Sequence, residues 1–385
     1  MKLTRRISAY FLPVSSLAVL AIAVVAAKPA AQSHYLAFVG TYTTKTESKG
    51  IYAYDFDSAT GQLTPKGLAA ETPDPSWVVI HPNGKYAYAA NESGKNSMIS
   101  AFSLDAKTAK LTLLNQLPAL GEDPCYLSFD KSGKYLFVAN YTSGNVAVFP
   151  ILADGKLGEH TALVKDAGTL GPNKERQEAP HAHWVQVSPD NRFVLVADLG
   201  LDEILVYHFD VTSGTITPNN PPFAKVYPGT GPRHAIFSRD GKLLFVISEL
   251  YAGVTAFAYD SRKGLLNALQ TASIRPKDFV GRSDGAEIAA YPGDKWLFAS
   301  NRGYDKISVL YYRPDNGGLI IARDYSTGGK EPRHFALDPT GQFLLAENQN
   351  SNSIVVFRIN PATGALTQVS QADAVPSPVN LAFVP

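Results

Sequence analysis

The sequence predicts an all-β fold: a seven-bladed β-propeller with four antiparallel strands per blade, closed by the N- and C-terminal strands in one blade. Three observations carry this. First, an alternating apolar strand, a turn of Asp, Asn and Gly, and a second strand recur seven times, beginning at Gly50, Met98, Asn145, Glu203, Gly253, Lys306 and Ser353. The equivalent residues Ile51, Ile99, Val146, Ile204, Val254, Ile307 and Ile354 stand 48, 47, 58, 50, 53 and 47 residues apart, a period suited to one all-strand blade. Second, a tighter hairpin recurs six times between them, at 81–88, 130–137, 188–195, 238–245, 291–298 and 338–345. Third, the missing seventh hairpin is divided between the chain ends. Residues 35–40 read as its second strand and 377–384 as its first, and joining them removes two exposed sheet edges.

Each unit therefore reads as strand A, a tight turn, strand B, a loop, strand C, a Gly turn and strand D. No stretch after residue 35 has a helical period. The chain of 385 residues is long enough for one large domain with a substantial core. With 35 basic and 34 acidic side chains the net charge is +1, and no basic patch points to nucleic acid.

Residues 1–31 differ from the rest. Lys2, Arg5 and Arg6 precede an apolar run from about Leu17 to Ala27, followed by small residues. This reads as a signal peptide ahead of a propeller domain at 32–385, and predicts a periplasmic or secreted protein with no stable membrane association after cleavage. Cys125 is the single cysteine, so no disulfide forms within the chain.

Strand parity locates the chemistry. In a meander, the start of A, the end of B and the D–A loop meet at one face, the mouth of the channel. The regular turns lie on the other. Alignment on the A–B turns gives a column of Ser76, Cys125, His183, Arg233, Ala286, Arg333 and Val379, and a next column of Trp77, Tyr126, Trp184, His234, Glu287, His334 and Asn380. Packing alone would fill these positions with small or apolar residues. At the end of B, Asn recurs at 91, 140, 301 and 348, read as a cap on the B–C loop. The following position varies: Thr41, Glu92, Tyr141, Leu199, Glu249, Arg302 and Gln349. Such variety is what a site grafted on a symmetric scaffold produces. The 58-residue step places an insertion at Glu159 to Pro180, a candidate rim or lid feeding into His181.

The mouth thus collects His181, His183, Arg233, Glu249 and Arg302 as candidate catalytic residues, with Glu92, His234, Glu287, Arg333 and His334 as candidate substrate-binding residues. Proton acceptors beside guanidinium groups suit acid/base chemistry on an anionic substrate. His181 and His183 have the i, i+2 spacing of strand-borne metal ligands, but no third His shares that face, so neither a metal nor a cofactor is expected. Gly281-Arg-Ser-Asp-Gly285 matches a nucleophile-elbow pattern without its strand-before, helix-after context.

The stretches FVGTYT (38–43), PHAH (180–183), ADLGLD (197–202), GPRH (231–234), SEL (248–250), AEI (286–288), NRG (301–303) and EPRHFALDPTG (331–341) resemble the lactonase family of seven-bladed propellers. That family includes the propeller-type 6-phosphogluconolactonases and the carboxy-muconate lactonizing enzymes. The resemblance implies hydrolysis of a sugar-acid lactone at the mouth. The family's His, Arg, Glu and Arg site residues fall on the PHAH pair, Arg233, Glu249 and Arg302. Glu249 or a His of that pair would take the proton of the attacking water, while the two arginines hold the acid group and the oxyanion. The alternatives are a lactonizing cycloisomerase of a dicarboxylic acid and an exported scaffold that binds a partner. The expected partner is a small lactone or acid.

Overall fold

A computed structural model describes residues 8–10, 32–293 and 295–385. The leader reading falls on residues 1–31, which lie almost wholly outside the described residues. Residues 33–385 form one compact unit of seven four-stranded antiparallel sheets. The innermost A strands are Pro378–Phe383, Pro75–Ile80, Pro124–Phe129, Ala182–Val187, Pro232–Phe237, Asp284–Ala290 and Pro332–Leu337, taken as blades one to seven. Blade one joins both chain ends, in the order Pro378–Phe383, His34–Thr41, Gly50–Asp57 and Gln62–Glu71.

Small polar residues build the turns. In the A–B hairpins a side chain at the turn's opening accepts the N–H five residues on: Asp130 from Tyr135 at 3.0 Å, Ser188 from Phe193 at 3.0 Å and Asp338 from Phe343 at 2.6 Å. This is why Asp and Ser recur there. The C–D turns need glycine for two reasons. Gly264 sits at φ +66, and a Cβ on it would lie 2.6 Å from the Phe193 ring of the neighbouring blade.

The core lies between blades. Phe56, Leu381, Phe343, Leu345 and Val356 pack blade one on blade seven, with Phe56 and Phe343 edge to face at 5.5 Å. The D strands are largely solvent-facing, as in Thr215–Lys225.

Two sequence expectations need correction. The recurring Asn does not cap the B–C loop. Asn140, Asn301 and Asn348 donate from Nδ2 to Ala119, Ile274 and Thr327, and Asn91 to Thr72 and Pro73, all at the D–A connection. The B–C segments are short enough to close by themselves, whereas the D–A crossing leaves carbonyls that need a donor. The long insertion also begins later than expected, because Ala162–Lys165 already forms the D strand of blade three. The segment from Asp166 to His181 is the true connection.

Beneath it lies a buried carboxyl pair. Asp166 and Asp198 are 2% and 0% exposed, and Tyr207 donates to Asp166 at 3.2 Å. Burial and the facing carboxyl push Asp166 well above the usual range; burial also raises Asp198. A raised carboxyl pKa weakens folding as pH rises above its unfolded value, near 3.9. Asp166→Asn mimics the neutral partner. It should raise the melting temperature at pH 7 by roughly 2 °C or more, with the gain vanishing below about pH 4. Thermal melts at the two pH values check this; an equal gain at both would contradict it.

Candidate active site

Every A strand opens on an irregularity, and that irregularity makes the site. Pairing with strand B skips a residue between Pro75 and Trp77, Pro124 and Tyr126, Ala182 and Trp184, Pro232 and His234, and Pro332 and His334. The skipped residues are Ser76, Cys125, His183, Arg233 and Arg333. A bulge frees its residue from the ladder and re-aims its side chain. This is the physical identity of the first polar column: unpaired bulge residues gathered at the top of the channel.

The end of strand B is fixed against the same region. The backbone N–H of Glu92 donates to Asp74 at 3.0 Å, that of Tyr141 to Asp123 at 2.9 Å and that of Glu249 to Gly231 at 2.7 Å. The accepting residues Asp74, Asp123 and Gly231 have φ of 39, 55 and 61, a left-handed turn that Gly and Asp tolerate best.

These residues enclose a cavity of about 350 Å³ lined by Tyr42, Glu92, Cys125, Tyr141, Arg176, His183, Glu249, Arg282, Arg302 and Arg333. Glu249, 4% exposed, is its electrostatic centre. Oε2 lies 3.0 Å from Arg233 Nε, 2.9 Å from Arg302 Nη2 and 4.0 Å from His183 Nε2. Oε1 lies 2.6 Å from Arg176 Nη2. Burial opposes ionisation of Glu249, but Arg302, Arg233 and Arg176 outweigh it and hold the carboxyl well below its usual range. Burial, Arg302 and Arg333 pull the Arg233 guanidinium down to about 10. His183 is driven well below its usual range by burial and Arg233, so its ring is neutral.

Arg302 is the unsatisfied member. It is 4% exposed, and its Nε has no hydrogen-bond partner, while its Nη2 lies 2.9 Å from Glu249 Oε2 as an ion pair without an aligned hydrogen bond. Buried N–H groups of this kind call for an acceptor from a ligand.

The candidate residues divide into three groups. His183, Glu249, Arg302, Glu92 and Arg333 line the cavity, with Arg233 directly behind Glu249. His181 does not line it: its ring stacks on Tyr141 at 4.4 Å and bonds the Tyr141 carbonyl and Glu178. The bulge between Ala182 and Trp184 breaks the i, i+2 parity, so His181 and His183 have separate surroundings. His234, Glu287 and His334, expected to bind substrate, instead form a layer beneath. Glu287 Oε2 lies 3.0 Å from His234 and 3.6 Å from His334, and His334 pairs with Glu347 at 2.6 Å. Trp77 packs edge-on against both histidines at 5.3 and 5.2 Å. His234 and His334 follow the bulge and rejoin the ladder, while Glu287 lies within the wider irregularity between Gly285 and Ile288. They support the site: the Arg233 guanidinium rests against the His234 ring and donates to the Ala286 carbonyl at 2.6 Å.

Five lining residues lay outside the candidate set: Tyr42, Cys125, Tyr141, Arg176 and Arg282. Tyr42 was missed by one position. Thr41, not Gly40, is the equivalent of Asn91, since it pairs with Pro378 as Asn91 pairs with Pro75; Thr41 bonds Ser48 and the Gly50 carbonyl, and Tyr42 takes the cavity position that Glu92 takes in blade two. Tyr141 stood in the variable column and bonds Arg176 at 3.2 Å. Arg176 comes from the long connection, which Gln177 anchors through the Leu199 carbonyl at 2.9 Å. Arg282 forms a two-point pair with Glu331 at 2.9 and 2.9 Å. Ser283 of the elbow-like pattern is buried and bonded to Asn301, a structural seat.

The family described as "Lactonase, 7-bladed beta-propeller" matches residues 36–383. The chain belongs to this family. It is 34% identical over 351 residues to the 6-phosphogluconolactonase of Bacillus subtilis, covering 91% of this chain and 98% of that protein. It is 33% identical to the 6-phosphogluconolactonase of Formosa agariphila, covering 87% and 95%. Among solved structures, the periplasmic gluconolactonase of Pseudomonas aeruginosa superposes with a TM-score of 0.86 at 33% identity, covering 92% of this chain and 99% of that one. The relatives' hydrolase names do not favour the lactonizing or partner-binding alternatives.

Proposed function

We propose that the chain hydrolyses the lactone of a sugar acid in the mouth cavity, and does so after export from the cytoplasm. The observation that carries this is Arg302, whose buried Nε has no hydrogen-bond partner at the wall of an arginine-lined cavity. Hydrolysis of a lactone builds negative charge on the carbonyl oxygen, and preorganised N–H donors stabilise that charge more than they stabilise the neutral ester. Arg176, Arg302 and Arg333 also suit the acid product.

Export favours an unphosphorylated lactone. The charged start and apolar run of the leader support it, as does the likeness to a periplasmic gluconolactonase. Among the described residues no helix is long and apolar enough to cross a membrane. A panel holding glucono-δ-lactone and its 6-phosphate tests the reading. Catalysed turnover with a higher kcat/KM for the unphosphorylated lactone is expected. Preference for the phosphate would overturn the export-based substrate, and absence of turnover on any lactone would overturn the reaction.

Arg176 is a cavity cation supplied by the long connection, and its side chain is 40% exposed. Arg176→Ala should raise KM up to about tenfold with kcat nearly unchanged, because a rim charge binds ground and transition states alike. Stability should change by less than about 1 kcal/mol, since solvent screens the pair. Steady-state kinetics and a thermal melt check both.

A further inference from the structure

Lactone hydrolysis needs a group that takes a proton from water, and the cavity offers few. Glu249 is poorly placed: both its oxygens are already shared among Arg176, Arg233 and Arg302. Burial keeps Tyr42, Cys125 and Tyr141 protonated. A proton on His183 would add a cation beside Arg233 and Arg333, and that ring's Nδ1 already faces Cys125 Sγ at 3.7 Å.

Glu92 has none of these handicaps. It lines the same cavity from blade two, three blades round the ring from Glu249. Its side chain is half-buried, so water reaches it. Among the described residues no Lys or Arg nitrogen stands within ion-pair distance. Tyr42 donates one hydrogen bond to Oε2 at 2.8 Å, and Arg333 lies over the Tyr42 ring at 5.5 Å. The carboxylate is oriented without being clamped, as a proton acceptor must be.

We infer that Glu92, held by Tyr42, is the catalytic residue that activates water, and that Glu249 is a positioning residue for the arginines across the cavity. This rests on the lactonase reading above. Water's oxygen bonds to the ring carbonyl carbon as its proton passes to Glu92, and the carbonyl electrons move onto an oxyanion facing Arg302. The oxyanion collapses, the bond from carbonyl carbon to ring oxygen breaks, and Glu92 returns the proton to the departing ring oxygen. The products are the hydroxy acid and the regenerated carboxylate.

The test uses the full chain with glucono-δ-lactone, corrected for the uncatalysed rate. Glu92→Gln should lower kcat at least about 100-fold while KM stays within about threefold. Glu92→Ala should be equally slow and partly rescued by added formate, which a merely structural role would not show. Tyr42→Phe, which keeps the carboxylate, should lose less than Glu92→Gln. A Glu92→Gln enzyme that keeps its kcat, a loss confined to KM, or no formate rescue would overturn the inference while wild-type turnover leaves the lactonase reading standing. A wild type inactive on every lactone would overturn both.

Discussion

Glu249→Gln is expected to weaken the whole domain, not only its chemistry. The carboxylate is 4% exposed and balances Arg233, itself 1% exposed, together with Arg302 and Arg176. Removing one partner of a buried pair leaves uncompensated charge and costs about 3–5 kcal/mol, a large part of the 5–15 kcal/mol that holds a typical domain together. The pH dependence has a definite sign. The folded carboxyl sits well below its usual range, so its stabilisation is complete above its unfolded pKa, near 4.3, and is lost as pH falls through the folded value. Urea titrations should show a large deficit for the variant at pH 7 that narrows in strong acid. KM and kcat should both worsen, because Arg302 and Arg176 lose the anion that sets their positions. A variant as stable as wild type, with only kcat reduced, would return Glu249 to the role of base and remove the need for Glu92.

Deleting residues 377–385 should abolish the wild-type fold. Pro378–Phe383 pairs with His34–Thr41, placing Leu381 opposite Val39 and Phe383 opposite Ala37. Val379 and Leu381 are buried, and each such side chain contributes about 1.5–3 kcal/mol. Asn380 also accepts the Val78 N–H at 2.9 Å, tying blade one to blade two. Without the strand, one edge of His34–Thr41 lies open and the ring has no closure. The expected product is aggregated, or melts far below wild type without a cooperative transition. Size exclusion and a thermal melt decide it, and a truncated chain that melts like the full one refutes the closure.

The blades were legible because they repeat. A strand needs period-two apolar residues, a turn needs Asp, Asn or Gly, and both demands act within a few residues, so seven copies reinforce one another. All seven C strands begin where the repeat places them, from Gly50 to Ser353. The mouth was legible for the complementary reason: positions that symmetry should keep alike carried His, Arg and Glu. Which of these face the cavity was not legible. Adjacent polar columns, Arg233 beside His234 and Arg333 beside His334, look equally functional in one dimension. Only the bulge at the start of each A strand sends the first residue to the cavity and the second into the layer below. Tyr42 was hidden behind Thr41 because the blade split between the chain ends has no continuous A–B hairpin to fix its alignment, and only the pairing of Thr41 with Pro378 sets it. Arg176 and Arg282 sit on connections, where no period constrains the reading, and only chain closure brings them against Glu249 and Glu331. The sequence by itself determined the scaffold and the face on which the candidate residues gather. The tertiary structure decided which carboxylate is clamped and which is free, because that depends on guanidinium groups arriving from blades that lie far apart along the chain.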